Sequence, residues 1–529
     1  MLFRALPPFR TLCQAARLGS SSKSSRPTLP FRAAKMSNFN PDDLEFVPNF
    51  LLPGHPVEDY VEEALDWAHC HGLAMRTTDH KDRSDVCAVA PMALFPSPFP
   101  RKLYDQAMEV QGDMMTLYHR ISWSHDFLIE AHKEVVKTDE FTRKLVEIYE
   151  TVWAAGVPQK KIVMTQRADY MANVSEKPEG ELRQIEVNNI AVSMGGLAQR
   201  VSLWHHKVIA ESRGLEVAEK QVPRNEPVVV LASALENAWR SYGDLNAAIL
   251  VVVEDVNQNQ LDQRFIEYEL IKAQSGPIPK IVRATLTQVA KLARINENDN
   301  TLTYGPHKIG LVYFRSGYSP ANYPSEAEWK ARETIELSNA IKCPWIGLQL
   351  ANTKKAQQVL AAPGAVEQFF NLPNSPTKET ESPARVRATF ARMWGLEPGT
   401  DETNEIIAAA IANPELYVLK PQLEGGGGNF YGEEMAAMLG KMKAEELSAF
   451  ILMERIRPMS VKNVLVRAFQ PASLSNVVGE LGIYGTLLGE GPLIHSISVS
   501  GHIIRSKAEG VNEGGVAVGA AVIDSAFLI

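Results

Sequence analysis

Four consecutive glycines, Gly425 to Gly428, follow a short apolar run in the segment Leu416-Tyr-Val-Leu-Lys-Pro-Gln-Leu-Glu-Gly-Gly-Gly-Gly-Asn-Phe-Tyr431. Glycine loses more conformational entropy on folding than any other residue, so such a run belongs where the backbone must come close to something. The free N–H groups of the loop can form a concave cradle for phosphate oxygens. Lys420 adds a cation at its root, and Glu424 offers a hard oxygen ligand for Mg²⁺. Glycines alone would favour a flexible surface hairpin. The strand, the lysine and the glutamate beside them turn the balance toward a nucleotide loop.

The common phosphate loops are absent. No Gly-x-x-x-x-Gly-Lys-Ser/Thr occurs, and the nearest match, Gly440-Lys441, is followed by Met442. Nor does a Gly-x-Gly-x-x-Gly open a helix after a strand with an acidic residue about 20 positions on. A nucleotide at this loop therefore calls for a third architecture.

A chain of 529 residues is too long for one simple core and predicts two to four structural units. With 45% hydrophobic and 22% charged residues it reads as a soluble globular protein. The net charge of −8 argues against a general nucleic-acid surface. No apolar stretch is long enough to predict a membrane span. Cys13, Cys70, Cys87 and Cys343 are too few and too scattered for a disulfide framework, which fits a reducing compartment. His69-Cys70-His71 and His205-His206 are poor metal sites, because adjacent residues on a helix point in different directions.

Residues 1–40 contain no Asp or Glu, carry five arginines and include a Ser-rich run from Ser20 to Ser25. That is the pattern of an organelle transit peptide. Met36 follows, just before acidic, globular-looking sequence. Two readings stand: a mitochondrial or plastid address in residues 1–35, or translation starting at Met36 to give a cytoplasmic protein. Either way residues 1–40 are excluded from the fold, as a disordered extension.

From Val57 to about Arg200 the pattern is mainly helical, with a long apolar-periodic stretch from Leu103 to Val135 and short strands at Lys161–Met164 and Leu182–Val187. Ala247–Val253 reads as a buried strand. A helix over Leu261–Gln274, with Leu261, Phe265 and Tyr268 on one face, and strands at Ile281–Ala284 and Ile309–Phe314 complete a parallel α/β unit. Binding groups are expected at the carboxyl ends of such strands, where Asn257-Gln-Asn259 and Arg315-Ser-Gly-Tyr318 lie. Gly364–Asn404 reads as a polar surface excursion. After the glycine loop come a helical stretch, Glu433–Phe450, and a strand, Ile451–Ile456. The glycine-loop hairpin fits a mobile lid. A second small-residue loop spans Gly510–Gly519.

Polar clusters at strand ends recur far apart: Arg167-Ala-Asp-Tyr170, Glu186-Val-Asn188, Asn259 to Gln263, Arg315 to Tyr318, Thr353-Lys-Lys355, Lys420 to Tyr431, Met453-Glu454, Glu480 and Arg505-Ser-Lys507. With the longer segments Gln184-Ile-Glu-Val-Asn188, Val312-Tyr-Phe-Arg-Ser-Gly-Tyr318, Gln349-Leu-Ala-Asn-Thr-Lys-Lys355, Glu480-Leu-Gly-Ile-Tyr-Gly485 and Gly514-Gly-Val-Ala517, they make the chain from about residue 45 onward resemble the eukaryotic-type glutathione synthetase family. The resemblance implies an α/β (α+β) class: a permuted ATP-grasp fold with an inserted parallel α/β substrate-binding domain at 245–350 and a glycine-loop lid. The ATP-grasp body would take residues 41–244 and 351–529, with the lid at about 405–456. It implies a homodimer, two Mg²⁺ per active site, and ATP as co-substrate in joining glycine to γ-glutamylcysteine through an acyl phosphate.

The resemblance also assigns residues. Glu186, Asn188 and Glu424 match Mg²⁺ ligands. ATP contacts fall on Glu186, Lys354, Lys420, Glu424, Gly425, Gly426, Gly427, Gly428, Asn429, Tyr431, Met453, Glu454, Arg455, Ile456, Glu480, Lys507 and Glu513. Dipeptide contacts fall on Arg167, Ile190, Ala191, Val192, Ser193, Asn257, Asn259, Gln263, Arg315, Ser316, Gly317, Tyr318, Arg505, Val516 and Ala517. Arg505, Lys420 and Lys354 carry the chemistry. Cations suit a reaction that brings anions together, and guanidinium forks suit substrate carboxylates. The chain departs from the family at Asn257, where many members have Glu, at Ala191 or Val192 for a common Ser, at Gly428 for Asn and at Arg455 for Lys. Two rival readings are a homoglutathione synthetase with β-alanine as acceptor and a non-catalytic paralogue that binds ATP or the dipeptide.

Overall fold

Ala248-Ile-Leu-Val-Val252 is a strand buried along its whole length. Each fully buried aliphatic side chain contributes roughly 1.5–3 kcal/mol, against a backbone-ordering cost of about 1–2 kcal/mol per residue. Such a strand persists only inside a sheet covered on both faces. In the computed structural model it runs parallel to His307–Phe314 on one side and to Ile281–Ala284 on the other. The model describes residues 50–529 except 53, 78, 81–82, 176–179, 273–275, 371–376, 423–427, 513 and 518, and not the side chains of 377 and 378. The N-terminal extension, Glu424, Gly425, Gly426, Gly427 and Glu513 thus lie outside the described residues.

The parallel strands do not form a sheet of their own. Through Ile341–Cys343 they join Lys161–Asn173, and the sheet turns antiparallel beyond it. Ser473–Glu490 and Leu493–Ala508 form a long hairpin on that strand, and Ala521–Asp524 follows. Thirteen strands make up this mixed sheet. Successive side chains of a strand face opposite ways, and the sheet feeds two cores accordingly. Ala248, Leu250 and Val252 join the core containing helices Arg101–Ser122 and Glu140–Ala154. Ile249 and Val251 join the core containing helices Gly195–Arg213 and Pro227–Ser241.

A second, four-stranded antiparallel sheet orders Met393–Gly395, Phe450–Glu454, Tyr417–Pro421 and Phe430–Tyr431. Its own core includes Leu396, Leu419, Met435 and Leu452. The glycine segment joins the last two paired strands, as a hairpin should. Among the described residues no helix is long and apolar enough to cross a membrane.

Several expectations are corrected. The stretch Leu103–Val135 is broken into Arg101–Ser122, His125–His132 and a single turn at Val135–Lys137. Lys161–Met164 is the start of a strand that runs to Asn173. The helix Gln260–Lys272 buries Asp262, Gln263, Ile266, Glu267 and Leu270, while Tyr268 is 58% exposed. The cause is Asp262, whose carboxylate accepts the backbone N–H groups of Met194, Gly196 and Leu197 where the helix Gly195–Arg213 begins. Residues 364–404 are no mere surface excursion: Val366, Phe369, Phe370 and Val386 are buried in the first core, and Met393–Gly395 is a strand. Glu433–Phe450 divides into helices Gly432–Leu439 and Ala444–Leu447, and Phe450 opens the next strand.

Candidate active site

Four neighbouring strands bring distant polar residues into one place by register alone. Arg505 lies directly opposite Glu480 on the long hairpin. One strand further, Gly482 lies opposite Asp169, and Tyr484 opposite Arg167. On the next strand Asp169 faces Glu186, and Arg167 faces Asn188.

Asp169 is the fully buried centre of this group. Arg167 grips it with two hydrogen bonds, from Nε to Oδ1 at 2.7 Å and from Nη2 to Oδ2 at 2.8 Å. The Asn188 amide donates to Oδ2 at 3.0 Å, and Arg505 Nη2 donates to the same oxygen at 3.0 Å. Arg505 also donates to Glu480 and stands 3.7 Å from the Glu186 carboxylate. The carboxylate oxygens of Asp169, Glu186 and Glu480 lie within 4.8 Å of one another. No other group of three His, Cys, Asp or Glu side chains among the described residues converges in this way. His205, from one of the histidine pairs, is instead buried between Ser525 Oγ and the Ala93 carbonyl.

A cavity of about 530 Å³ opens on one side of the cluster. Glu186, Lys354, Lys420, Asn429, Tyr431, Met453, Glu454, Arg455, Ile456, Glu480, Arg505 and Lys507 line it. Its apolar wall includes Met171, Ile185, Val418 and Val478, none of which the sequence singled out. Ile185 is the extra residue where the pairing shifts from Asp169–Glu186 to Tyr170–Gln184, so it lines the cavity beside Glu186 although strict alternation would turn it away. Three lysines and several carboxylates here oppose one another. Burial drives Lys420 down to about 8, with Glu186 resisting and Lys354 adding to the shift. Burial works against the Glu186 carboxylate, yet Lys354, Arg505, Lys420 and Arg167 outweigh it and hold its pKa below the usual range. Burial pushes Glu480 up, Arg505 opposes, and the neighbouring Asp169 and Glu186 reinforce the rise.

A second cavity, about 290 Å³, opens on the other side. Arg167, Asn188, Ile190, Ala191, Val192, Ser193, Asn257, Asn259, Arg315, Tyr318, Val516 and Ala517 line it, together with Glu254, which the sequence reading passed over. Arg315 is 1% exposed and donates to the Val192 carbonyl and to Tyr313. Its Nε and that of Arg505 are buried with no partner among the described residues. A buried unsatisfied donor costs about 1–3 kcal/mol, so these two point to a ligand acceptor. The two cavities share Glu186, Arg505 and Gly515.

Among the described candidate residues, four line neither cavity. Gln263 is buried behind the second and donates to Asn259 Oδ1 at 3.2 Å. Ser316 is buried, and Gly317 turns the chain at φ +95° with its carbonyl accepting from Gln349 and Tyr323. Gly428 takes φ +72° in the hairpin. Asp169 is the main omission of the sequence reading. It stands inside the Arg167–Tyr170 cluster but was not assigned a role there.

The three convergent carboxylates are hard oxygen donors of the kind a divalent cation takes. Residues 55–528 match the family model described as eukaryotic glutathione synthase, ATP-binding domain. The chain is 38% identical to the glutathione synthetase of Xenopus laevis, over 89% of this chain and 97% of that one. It is also 38% identical to that of Homo sapiens, over 90% and 98%. Against the chloroplastic glutathione synthetase of Solanum lycopersicum the identity is 33%, over 96% and 92%. A solved glutathione synthetase-like effector from Globodera pallida, in apo form, superposes with TM-score 0.73 at 27% identity, covering 91% of this chain and 99% of that one. The chain belongs to the eukaryotic glutathione synthase family.

Proposed function

We propose that the chain is an ATP-dependent ligase that joins glycine to γ-glutamylcysteine, giving glutathione, ADP and phosphate. The observation that carries this reading is the meeting of two cavities at Glu186, Arg505 and Gly515. The larger, with an apolar wall and three lysines, suits a nucleoside triphosphate. The smaller, with Arg167 and Arg315, suits a dipeptide bearing two carboxylates. The junction is where a γ-phosphate and a carboxylate would meet.

An oxygen of the cysteinyl carboxylate attacks the γ-phosphorus, and ADP leaves. The glycine amine then attacks the acyl carbon, phosphate leaves, and the nitrogen loses a proton. Lys354, Lys420 and Lys507 offset the repulsion between triphosphate and carboxylate. Arg505 stabilises the oxyanion that forms as the amine adds. Glu186, Asn188 and Glu424 would hold Mg²⁺, which supplies further charge neutralisation when bound. The hairpin rooted at Lys420 acts as a lid that excludes water from the acyl phosphate.

We read the fold as a permuted ATP-grasp body, residues 41–244 and 351–529, with the 245–350 unit as the substrate domain and 405–456 as the lid. The assembly is a homodimer. The protein is cytoplasmic, with residues 1–35 able to direct a mitochondrial or plastid form. Gly428, Asn429, Tyr431, Met453 to Ile456 and Glu513 contact ATP, and Val516-Ala517 face the joining glycine.

The test is phosphate release from Mg-ATP and γ-glutamylcysteine with glycine, with β-alanine and with neither. Glycine-dependent turnover is the expected result. A clear preference for β-alanine would overturn the choice of acceptor, and the absence of acceptor-dependent turnover would favour a non-catalytic binder.

A further inference from the structure

Resting on that reading, we propose that Glu254 binds the α-ammonium of the γ-glutamyl end and so selects a zwitterionic substrate. The γ-glutamyl group carries a cation and an anion on the same carbon. The smaller cavity has guanidinium groups for carboxylates, so the question is what receives the ammonium.

Two carboxylates face that cavity, Glu186 and Glu254. Glu186 is already amid cations: Lys354, Arg505, Lys420 and Arg167 all favour its charged form. Glu254 is held differently. Tyr318 donates its hydroxyl to Oε1 at 3.0 Å, Asn322 donates its amide to the same oxygen at 3.2 Å, and Asn257 donates to Oε2 at 2.9 Å. All three donors are neutral. Among the described residues no Lys, Arg or His lies within ion-pair distance of it. A carboxylate offers about four acceptor positions, so three fixed donors orient it and leave one for a ligand. A half-buried carboxylate in a ligand cavity, oriented by neutral groups and lacking a counter-ion, is complementary to an ammonium.

The rest of the local chemistry agrees. Tyr318 sits with its pKa pushed up to about 12, by burial first and then by Glu254, so its hydroxyl keeps the proton it donates. Asn257 cannot itself balance an ammonium, since it is neutral and its amide is spent on Glu254, while its Oδ1 accepts the Asn259 backbone N–H at 2.9 Å. Glu254 follows the carboxyl end of the Ala248–Val252 strand, where such binding groups belong.

The experiment compares γ-glutamylcysteine with N-glutarylcysteine, which has the same length and lacks only the α-amino group, in full-length wild type and Glu254→Gln. Wild type is expected to favour the amino compound in kcat/KM by about 10- to 100-fold, the size of a hydrogen bond to a charged group. Glu254→Gln should bring that preference close to unity, with KM for ATP retained as evidence of folding. Adding Asn257→Glu to Glu254→Gln restores a carboxylate one hydrogen bond away and should restore the preference. Equal weakening of both substrates by Glu254→Gln would make Glu254 a scaffold for Tyr318 and Asn257 and overturn the inference. A wild type that does not distinguish the two compounds overturns it without any variant. Failure of wild type to turn over either compound would instead overturn the proposed function.

Discussion

Arg505 and Glu480 are direct cross-strand partners on the long hairpin, and the Arg505 guanidinium donates to both the Glu480 and the Asp169 carboxylates. Arg505 thus bridges two carboxylates of the acidic cluster at the junction of the two cavities. Removing one partner of a buried ion pair typically costs about 3–5 kcal/mol, because the other charge is left uncompensated. Arg505→Ala should lower the melting temperature of the ligand-free protein and reduce kcat by on the order of 10²–10³-fold. Adding Glu480→Gln should recover part of the stability and none of the turnover. Calorimetry and phosphate release check the two halves separately, and an unchanged melting temperature in Arg505→Ala would contradict the first.

Lys420 gives a pH dependence with a definite sign. Its folded pKa of about 8 lies below the ordinary 10.5, so its charge destabilises the folded protein in full below about pH 8. That penalty is relieved as pH rises toward 10.5, because the unfolded chain then binds more protons than the folded one. Phosphates reverse the preference by attracting the charged lysine. ATP binding near and above pH 8 should therefore take up a proton, and KM for ATP should rise above about pH 8. Calorimetry in buffers of different ionisation enthalpy measures the uptake, and Lys420→Met should abolish it. Uptake that persists in the variant would assign the proton to another group.

Gly482 is a packing requirement of the Arg167–Asp169 pair. A Cβ built there would lie 2.5 Å from Asp169 Oδ1 and 2.8 Å from Arg167 Cδ. Both side chains are buried, so neither can swing aside. Gly482→Ala should cost about 1–3 kcal/mol through overpacking. It should also lower kcat/KM for γ-glutamylcysteine more than for ATP, since Arg167 faces the smaller cavity. Equal losses for both substrates would contradict a local displacement.

Gln422 ties the root of the glycine hairpin to the helix Lys354–Leu360. Its Oε1 accepts the Lys355 backbone N–H at 3.0 Å, beside the Thr353 side chain that caps the same helix. Lys354 is the first residue of that helix and Lys420 is the penultimate residue of the strand Tyr417–Pro421 that leads into Gln422, so this contact sets the spacing of two cavity lysines. Gln422→Ala should cost about 1 kcal/mol, as the loss of a helix N-terminal acceptor does, and raise KM for ATP several-fold. An unaltered KM in an ATP titration would mean that the hairpin holds its position without the helix.

The elements legible in the sequence were those with a strong local pattern. Ala248–Val252 is a continuous apolar run, and the hairpin around the glycines is marked by its own composition. Gln260–Lys272 was legible as a helix but not in its orientation. Apolar spacing chose Leu261, Phe265 and Tyr268, whereas burial followed Asp262, whose backbone partners sit over 60 residues earlier. Glu254 lacked any local mark, because its role depends on Tyr318, 64 residues away.

Motifs in the chain were enough to identify the ligase family, because the segments carrying Lys420, Arg315 and Arg505 are distinctive even in isolation, although Arg505 proves to lie within a strand and not at its end. They also yielded most of the residues that line the two cavities. Asp169 shows where that reach ends. Its contact with Arg505 spans 336 residues of chain, and it forms only because three neighbouring strands align in register. Side-chain type and spacing are local properties and can be read along a chain. Which carboxylate shares which cation depends on register, burial and the absence of a side chain at Gly482, and those exist only once the sheet has formed.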